Sequence, residues 1–158
     1  MRVLGIDPGL RVAGYGCIEF TPGKANPTLV EGGAIKLNTK ESVSFRLAQL
    51  YQDVTEIIEE LQPELLAVET IFTHERQVAT ATILGYARGV ILLAGEKASL
   101  PLAELAPAEI KKAITGNGRA TKEQIQHAIA STLKLSEPPD PPDVADALAI
   151  AITAGVRA

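Results

Sequence analysis

The sequence predicts an α/β fold in which a five-stranded mixed sheet is flanked by helices. Short apolar runs such as Val3–Ile6 and Leu65–Val68 are bounded by polar or turn residues, which is typical of buried strands. Longer segments repeat apolar residues every three or four positions, as helices packed on a sheet do. Strands and helices alternate after the third strand, so we expect the helix-linked strands to run parallel through right-handed crossovers.

The chain begins with strands joined by short turns. Asp7-Pro8-Gly9 and Thr21-Pro22-Gly23 supply these turns, because proline fixes φ and glycine accepts positive φ. Such short connections favour antiparallel pairing between neighbouring strands. The predicted strands are Arg2–Asp7, Ala13–Glu19 and Thr28–Lys36.

Helices dominate the remainder of the chain. An amphipathic helix is predicted over Ser44–Gln62, and a long apolar helix is predicted over Arg76–Ala98. The strands expected between and after them are Leu65–Glu69 and Pro101–Leu105. Further helices are expected around Ala108–Ile114, after the capping box that begins at Thr121, and from Pro142 onward.

Size and composition fit one globular domain. The 158 residues are 46% hydrophobic, which is enough for one domain, 1–158, with a single core. The only cysteine, Cys17, excludes an intramolecular disulfide and fits a reducing compartment. No secretory signal is apparent, and the longest apolar stretches, Gly89–Gly95 and Ala147–Val156, are too short to span a bilayer. We therefore expect a cytoplasmic protein with no membrane partner.

Four acidic residues occupy positions that are hard to explain by folding alone. Asp7 and Glu69 each end an apolar strand, and Asp143 and Asp146 share one face at the start of the last helix. If the first and fourth strands are neighbours, Asp7 and Glu69 lie side by side at the carboxyl ends, where ligands of α/β sheets bind. Carboxylates gathered in one place retain a proton or hold a hard cation such as Mg²⁺. The pattern therefore favours a metal-dependent phosphoryl-transfer site.

Some of these acids also have ordinary structural roles when each is considered alone. Asp143 could be a favourable first-turn acid of a helix, and Asp7 could be a turn residue before Pro-Gly. Glu69 has no comparable structural role. The combination of all four is what favours the functional interpretation.

The motifs that carry these acids resemble those of the bacterial RuvC Holliday-junction resolvases. They occur in the same order and at comparable spacing, and the resemblance covers nearly the whole chain. The motifs are Gly5-Ile6-Asp7-Pro8-Gly9 with Gly14-Tyr15-Gly16, then Ala67-Val68-Glu69, then the segment Asp143–Ala151.

The resemblance implies a ribonuclease H-like fold and a homodimer that cuts two opposing strands of a four-way DNA junction. It also implies a role alongside the RuvA and RuvB branch-migration proteins. By the same resemblance, the acids that match the metal-binding positions are Asp7, Glu69, Asp143 and Asp146. Two cations about 4 Å apart, Mg²⁺ or alternatively Mn²⁺, would suit such a carboxylate set in phosphodiester hydrolysis.

Basic residues cluster late in the chain, so the net charge of −4 does not exclude a nucleic-acid partner. By the resemblance, Lys111 and Lys122 match basic positions near the active site. Arg119 is a further candidate contact with DNA in the same stretch. The ordinary alternative is that these side chains are merely solvated, as most surface lysines are.

The segment after Glu69 supplies two further candidate DNA contacts. By the resemblance, Phe72 corresponds to an aromatic residue used at the crossover of the junction, where it could stack on unpaired bases. Core packing is the alternative role for Phe72. His74 is the second candidate contact, and an exposed loop histidine without a function is its alternative.

The Arg76–Ala98 helix is apolar over more of its circumference than packing on a sheet requires. We expect the surplus face to be buried against a second copy across a two-fold axis. A four-way junction has approximate two-fold symmetry as well, so such a dimer would present two sites to opposing strands.

Three other functions are compatible with parts of the pattern. A ribonuclease H-like nuclease that acts on structured RNA would share the first strand, and a non-catalytic junction-binding dimer would share the basic residues. An actin-like ATPase also has a strand ending in Gly-Ile-Asp, but it needs two such domains to enclose a nucleotide. The Asp143 and Asp146 pair, with Phe72 after Glu69, favours the junction nuclease over the RNA nuclease, and a non-catalytic binder would not need four convergent acids.

Overall fold

The computed structural model describes residues 1–71 and 78–158. Within them, the predicted five-stranded mixed sheet flanked by helices is confirmed. The strands are β1 (Arg2–Asp7), β2 (Val12–Glu19), β3 (Thr28–Lys36), β4 (Leu65–Glu69) and β5 (Leu102–Leu105). The helices are α1 (Val43–Leu61), α2 (Val78–Lys97), α3 (Pro107–Thr115), α4 (Lys122–Thr132) and α5 (Pro142–Arg157).

The first strand is the centre of the sheet, whose order is β3-β2-β1-β4-β5. β1 and β3 both pair with β2 in the antiparallel sense, which agrees with the short connections between them. The helix-linked strands β1, β4 and β5 pair in parallel. β1 and β4 are therefore neighbours, as the position of the two strand-end acids requires.

Helices cover both faces of the sheet, and the sheet separates two hydrophobic cores. α1 and α2 pack against the face that carries Leu4, Ile6 and Val68. α3, α4 and α5 pack against the opposite face, which carries Val3 and Ala67. Because side chains alternate along a strand, the residue after Ile6 and the residue after Val68 point towards the α5 face.

α2 is the least buried of the long helices. Within the described ranges it is the one helix long and apolar enough to cross a bilayer by length and composition, which the expectation from shorter apolar stretches did not anticipate. This is weak evidence for a membrane span, because core helices of soluble proteins meet the same criterion. One face of α2 packs on the sheet through Ala87, Ile91 and Ala94, and its central Arg88 is ion-paired.

Candidate active site

The site lies at the carboxyl ends of β1 and β4. Val3 pairs with Leu65 and Gly5 with Ala67, so the same register continued by two residues sets Asp7 beside Glu69. Both acids follow apolar residues that are fully buried, and both project towards α5. The adjacency predicted from the two apolar strand motifs is thus present in the fold.

Glycines of β1 and β2 let α5 approach the sheet at backbone distance. A Cβ atom on Gly5 would stand 2.1 Å from the carbonyl oxygen of Ala147, and one on Gly14 would stand 2.0 Å from that of Asp143. No side chain can occupy these positions without moving the helix. The glycines of the first motif therefore let α5 lie directly against β1, which carries Asp7, and let its first turn lie against β2.

The two aspartates of α5 face the strand-end acids. Pro142 begins the helix, and Asp143 and Asp146 lie one turn apart on the side nearest β1. Lys122, at the start of α4, places its Nζ 3.4 Å from Oδ2 of Asp146. Asp146 is 24% exposed, so this carboxylate remains open to solvent as well as to the lysine.

The other three acids all act on Asp7. Burial, followed by Asp146, Asp143 and Glu69, raises the pKa of Asp7 to about 8, against an opposing effect of Lys122. The pKa of Glu69 is raised by burial and then by Asp146, while Lys111 and Lys122 oppose the increase. Asp7 is therefore the acid least able to carry a charge unless positive charge is added nearby.

Asp146 and Lys122 each shift the pKa of the other. The pKa of Asp146 is raised chiefly by burial, and the ion pair with Lys122 limits the increase. The pKa of Lys122 is raised in turn, mainly by Asp146. Lys122 thus behaves as a partial counter-ion to the carboxylates, in addition to being a possible phosphate contact.

Two cavities open on either side of the strand-end acids, and both are lined by Asp7, Glu69 and Pro107. The first has a volume of about 240 Å³ and is completed largely by apolar and backbone groups. The second, of about 330 Å³, also contains Lys111 and Lys122. Among the described residues, positive charge therefore lines the second cavity, next to the strand-end acids.

The donor set suits a hard divalent cation. All four groups are carboxylates, the ligands that Mg²⁺ and Mn²⁺ prefer. Burial and the three neighbouring carboxylates raise the pKa of Asp7, and a bound cation would oppose both effects. In the described part of the chain, no three His, Cys, Asp or Glu side chains are arranged tightly enough to hold one ion. The acids fit the expected metal chemistry, and binding would have to draw them closer together.

Two of the predicted DNA contacts lie beside the strand-end acids. Lys111 and Lys122 both line the cavity beside the acids. Arg119 is exposed, and it is the next residue, Ala120, that lines this cavity. Phe72 and His74 lie outside the described residues.

One contact near the site was missed by the sequence interpretation. Arg88 of α2 donates from Nε to the backbone carbonyl oxygen of Glu69 at 3.3 Å, and its Nη2 pairs with Glu104 of β5. A signal was present, because Arg88 is the only charged residue between Val78 and Gly95. Its partner could not be identified without knowing how α2 crosses the sheet.

Comparison with known proteins places this geometry in a family. The model of the crossover junction endodeoxyribonuclease RuvC family matches residues 3–154. The protein of that name from Moorella thermoacetica is 45% identical over 152 residues, which cover 96% of this chain and 89% of the relative.

Solved structures agree with the sequence comparison. The RuvC structure from Thermus thermophilus superimposes with a TM-score of 0.88 at 35% identity, covering 97% of this chain and 92% of that one. The same protein in complex with a Holliday junction substrate gives a TM-score of 0.87 at 33% identity, with the same coverage. The ribonuclease H-like fold expected from the motifs is thereby confirmed. The chain belongs to the RuvC family of crossover junction endodeoxyribonucleases.

Proposed function

We propose that this chain, acting as one nuclease domain over residues 1–158, resolves four-way DNA junctions in recombination and repair by paired nicks. The observation that carries the proposal is the convergence of four carboxylates and two lysines at the carboxyl ends of β1 and β4. Family membership supports the same substrate, since a relative of this fold has been solved with a Holliday junction.

The acids are assigned as the metal ligands of this reaction. Asp7, Glu69, Asp143 and Asp146 would hold Mg²⁺, or Mn²⁺ in its place, with two ions in each site. When bound, such ions activate the attacking water and stabilise the departing 3′ oxygen. Asp7 is the central member, because its pKa responds to each of the other three carboxylates.

The lysines are assigned to the phosphate of the cleaved strand. Lys111 and Lys122 lie in the cavity next to Asp7 and Glu69, so both can reach a phosphate placed over the acids. Hydrolysis adds water across the P–O3′ bond and leaves a 5′ phosphate and a 3′ hydroxyl. Because lysine is a mobile point charge, it can follow the phosphate through this change. Arg119, Phe72 and His74 are assigned as further DNA contacts.

A homodimer is the second part of the proposal. Val78, Thr82, Tyr86, Gly89 and Leu93 lie within one stripe of α2, opposite the face that packs on the sheet. Tyr86 and Leu93 are 49% and 53% exposed in the isolated chain. Gly85 and Gly89 have open space around them, so a partner backbone can approach closely there. We call Val78, Thr82, Tyr86, Gly89 and Leu93 the α2 stripe, and we assign this stripe to the two-fold interface.

The cellular setting follows from the family. We place the protein in the cytoplasm, with RuvA and RuvB as functional partners that would deliver the junction.

The decisive experiment is a cleavage assay with several labelled substrates. A four-way junction, a matched duplex and an RNA hairpin are incubated with the protein, with and without Mg²⁺, and the positions of both nicks are mapped. We expect symmetric nicks in opposing strands of the junction only, and only with the cation. Cleavage of the RNA hairpin in preference to the junction, or junction binding with no cleavage in Mg²⁺ or Mn²⁺, would contradict the proposal.

A further inference from the structure

Arg88 connects helix α2 to the backbone at the position of an active-site acid. Its Nε donates to the carbonyl oxygen of Glu69 at 3.3 Å. Its Nη2 donates to Oε2 of Glu104, so the planar guanidinium is held by two acceptors at once. The Arg88 side chain is only 17% exposed, whereas that of Glu104 is 47% exposed.

The sheet register explains why Glu104 can hold Arg88 in place. Glu104 pairs with Val68 across β4 and β5, so its side chain lies on the same face as Val68, the face covered by α2. Glu69, one residue later, projects its carboxylate to the opposite face, towards α5. Arg88, held by Glu104, therefore contacts the main chain of Glu69 from the α2 face of the sheet. It does not contact the carboxylate, which lies on the α5 face.

The end of β4 is also attached to β5 through Thr70. Thr70 donates from its backbone nitrogen to the carbonyl oxygen of Leu105 at 2.8 Å, and its hydroxyl donates to the same oxygen at 3.3 Å. These bonds fix the residue after Glu69 to β5, and Arg88 fixes the carbonyl of Glu69 itself. The direction in which Glu69 points thus depends on contacts made from β5 and α2.

We propose that Arg88, held by Glu104, is a positioning residue that sets the orientation of Glu69 for cation binding. This inference rests on the function proposed above, in which Glu69 is a metal ligand. It also gives α2 a second role, because the helix that carries the α2 stripe on one side holds an active-site ligand from the other.

The chain offers a matched control for an ordinary ion pair. Arg2 donates from Nε to Glu19 at 3.2 Å and from Nη1 to the backbone carbonyl of Leu61 at 2.9 Å. This is the same arrangement of arginine, glutamate and carbonyl oxygen, at the opposite end of β1 from Asp7. A contribution to folding alone would make the two arginines equivalent in every measurement.

The experiment compares Arg88→Met with Arg2→Met in the full-length chain. Three quantities are measured: the single-turnover cleavage rate at saturating junction, the junction Kd in EDTA, and the Mg²⁺ concentration that gives half of the cation-induced rise in Tm without DNA. For Arg88→Met we expect the Mg²⁺ midpoint to rise and the rate to fall by about tenfold to a hundredfold, with Kd changed less than about twofold. Arg2→Met should lower Tm and leave the other quantities unchanged.

Conservative variants make the test independent of folding losses. Arg88→Lys keeps the charge but lacks the planar guanidinium that donates to both acceptors at once, so an intermediate defect is expected. Glu104→Gln should give a smaller defect of the same kind. If Arg88→Met does not fold, Arg88→Lys decides by the same criteria.

The inference is overturned if the Arg88 variants lose Tm as Arg2→Met does while the Mg²⁺ midpoint and rate stay within about twofold of wild type. A failure of the proposed function has a different signature, since the wild type itself would then leave junctions uncut. In that case the Mg²⁺ midpoint of the Tm rise alone decides whether Arg88 positions Glu69. Absence of any Tm rise with Mg²⁺ in the wild type would overturn both.

Discussion

At the scale of single residues, the main property of the site is an excess of negative charge at one buried point. Asp7 follows fully buried Ile6 and is acted on by Asp146, Asp143 and Glu69 in that order. Among the residues that the structure describes, Lys122 acts in the opposite direction on Asp7. Such a cluster lowers the stability of the folded chain but favours the binding of a cation. Both effects can be measured.

Removing a single ligand carboxylate should separate chemistry from DNA binding. Asp7→Asn, Glu69→Gln and Asp143→Asn are each expected to lower junction cleavage by at least about a thousandfold, because cation-activated water is lost. Asp146→Asn should act similarly, since it also removes the partner of Lys122. Junction affinity, measured by gel shift in EDTA, should change little, because basic contacts supply it. Near-normal nicking by Asp7→Asn at saturating Mg²⁺ would refute the assignment.

The pKa of Asp7 predicts a pH-dependent gain in stability when this acid is removed. A folded-state pKa of about 8, above the ordinary 3.8, means that the folded protein binds this proton more tightly than the unfolded chain. Its contribution to stability is complete below pH 4 and is lost as pH rises towards 8. Asp7→Asn should therefore equal wild type near pH 4 and exceed its free energy of unfolding by an amount that grows with pH, up to about 6 kcal/mol at pH 8 for a pKa raised from 3.8 to about 8.

Denaturant unfolding in EDTA across this pH range checks the prediction. Mg²⁺ should stabilise wild type at pH 8 and have little effect on Asp7→Asn, because cations bind the folded carboxylate set. If the free energies of unfolding of the two proteins differ by a constant amount from pH 4 to pH 8, the pKa of Asp7 is not raised in the folded state.

The lysines should be distinguishable from the acids by salt dependence. If Lys111 contacts a phosphate, Lys111→Ala removes about one unit from the log–log slope of junction affinity against salt. Lys122→Ala should weaken binding less than it slows cleavage, because Lys122 is partly engaged by Asp146. Lys112→Ala is the control, since Lys112 is exposed and outside the cavity lining. An unchanged slope for Lys111→Ala would show that the Lys111 side chain is solvated and does not contact a phosphate.

At the scale of elements, the site depends on how closely α5 lies on β1 and β2. The glycines of the first motif act through packing and not through chemistry. Gly5 and Gly14 stand where any Cβ would meet the main chain of α5. Helix α5 is buried along most of its length, so it cannot easily tilt away to make room.

A single methyl group on β1 should therefore displace the helix that carries two of the acids. Gly5→Ala is expected to cost about 3 kcal/mol in the free energy of unfolding and to abolish cleavage in whatever fraction remains folded. Gly32→Ala is the matched control on β3, where the nearest atom, 3.0 Å away, is a methyl group of the Val144 side chain. Chemical denaturation of both variants measures the difference, and equal costs would remove the packing explanation.

The sequence predicted every element of the described chain and the neighbouring positions of Asp7 and Glu69, because apolar strands, turns and caps are local signals. It also assigned Lys111 and Lys122 to the site through the family resemblance. It did not predict the Arg88 contact, which depends on the register of β4 with β5 and on the crossing of α2. It likewise did not predict that Lys122 would pair with Asp146, because that requires the packing of α4 against α5.

At the scale of the whole molecule, one active site per chain is not enough for two symmetric nicks. A four-way junction presents two opposing strands, so simultaneous cleavage requires two sites related by a two-fold axis. We propose that the α2 stripe forms that axis, and the opposite side of the same helix contacts Glu69 through Arg88. Association and the geometry of the sites are therefore expected to be connected through one helix.

Placing a charge in the α2 stripe should separate single-site chemistry from paired cleavage. Leu93→Glu puts a carboxylate on a side chain that is 53% exposed in the isolated chain, so the monomer should tolerate it while a buried interface should not. Sedimentation equilibrium at micromolar concentration should show a dimer for wild type and a monomer for Leu93→Glu. The variant should lose paired nicking on a supercoiled cruciform and give at most slow single nicks.

Phe45→Glu supplies the control for this experiment. Phe45 is 54% exposed on the first turn of α1, outside the α2 stripe, so its replacement introduces the same charge on another exposed apolar position. Association and paired nicking should both survive. If wild type is monomeric, or if Leu93→Glu remains a dimer with coordinated nicks, the two-fold axis must lie on another surface and the proposed connection between α2 and both sites fails.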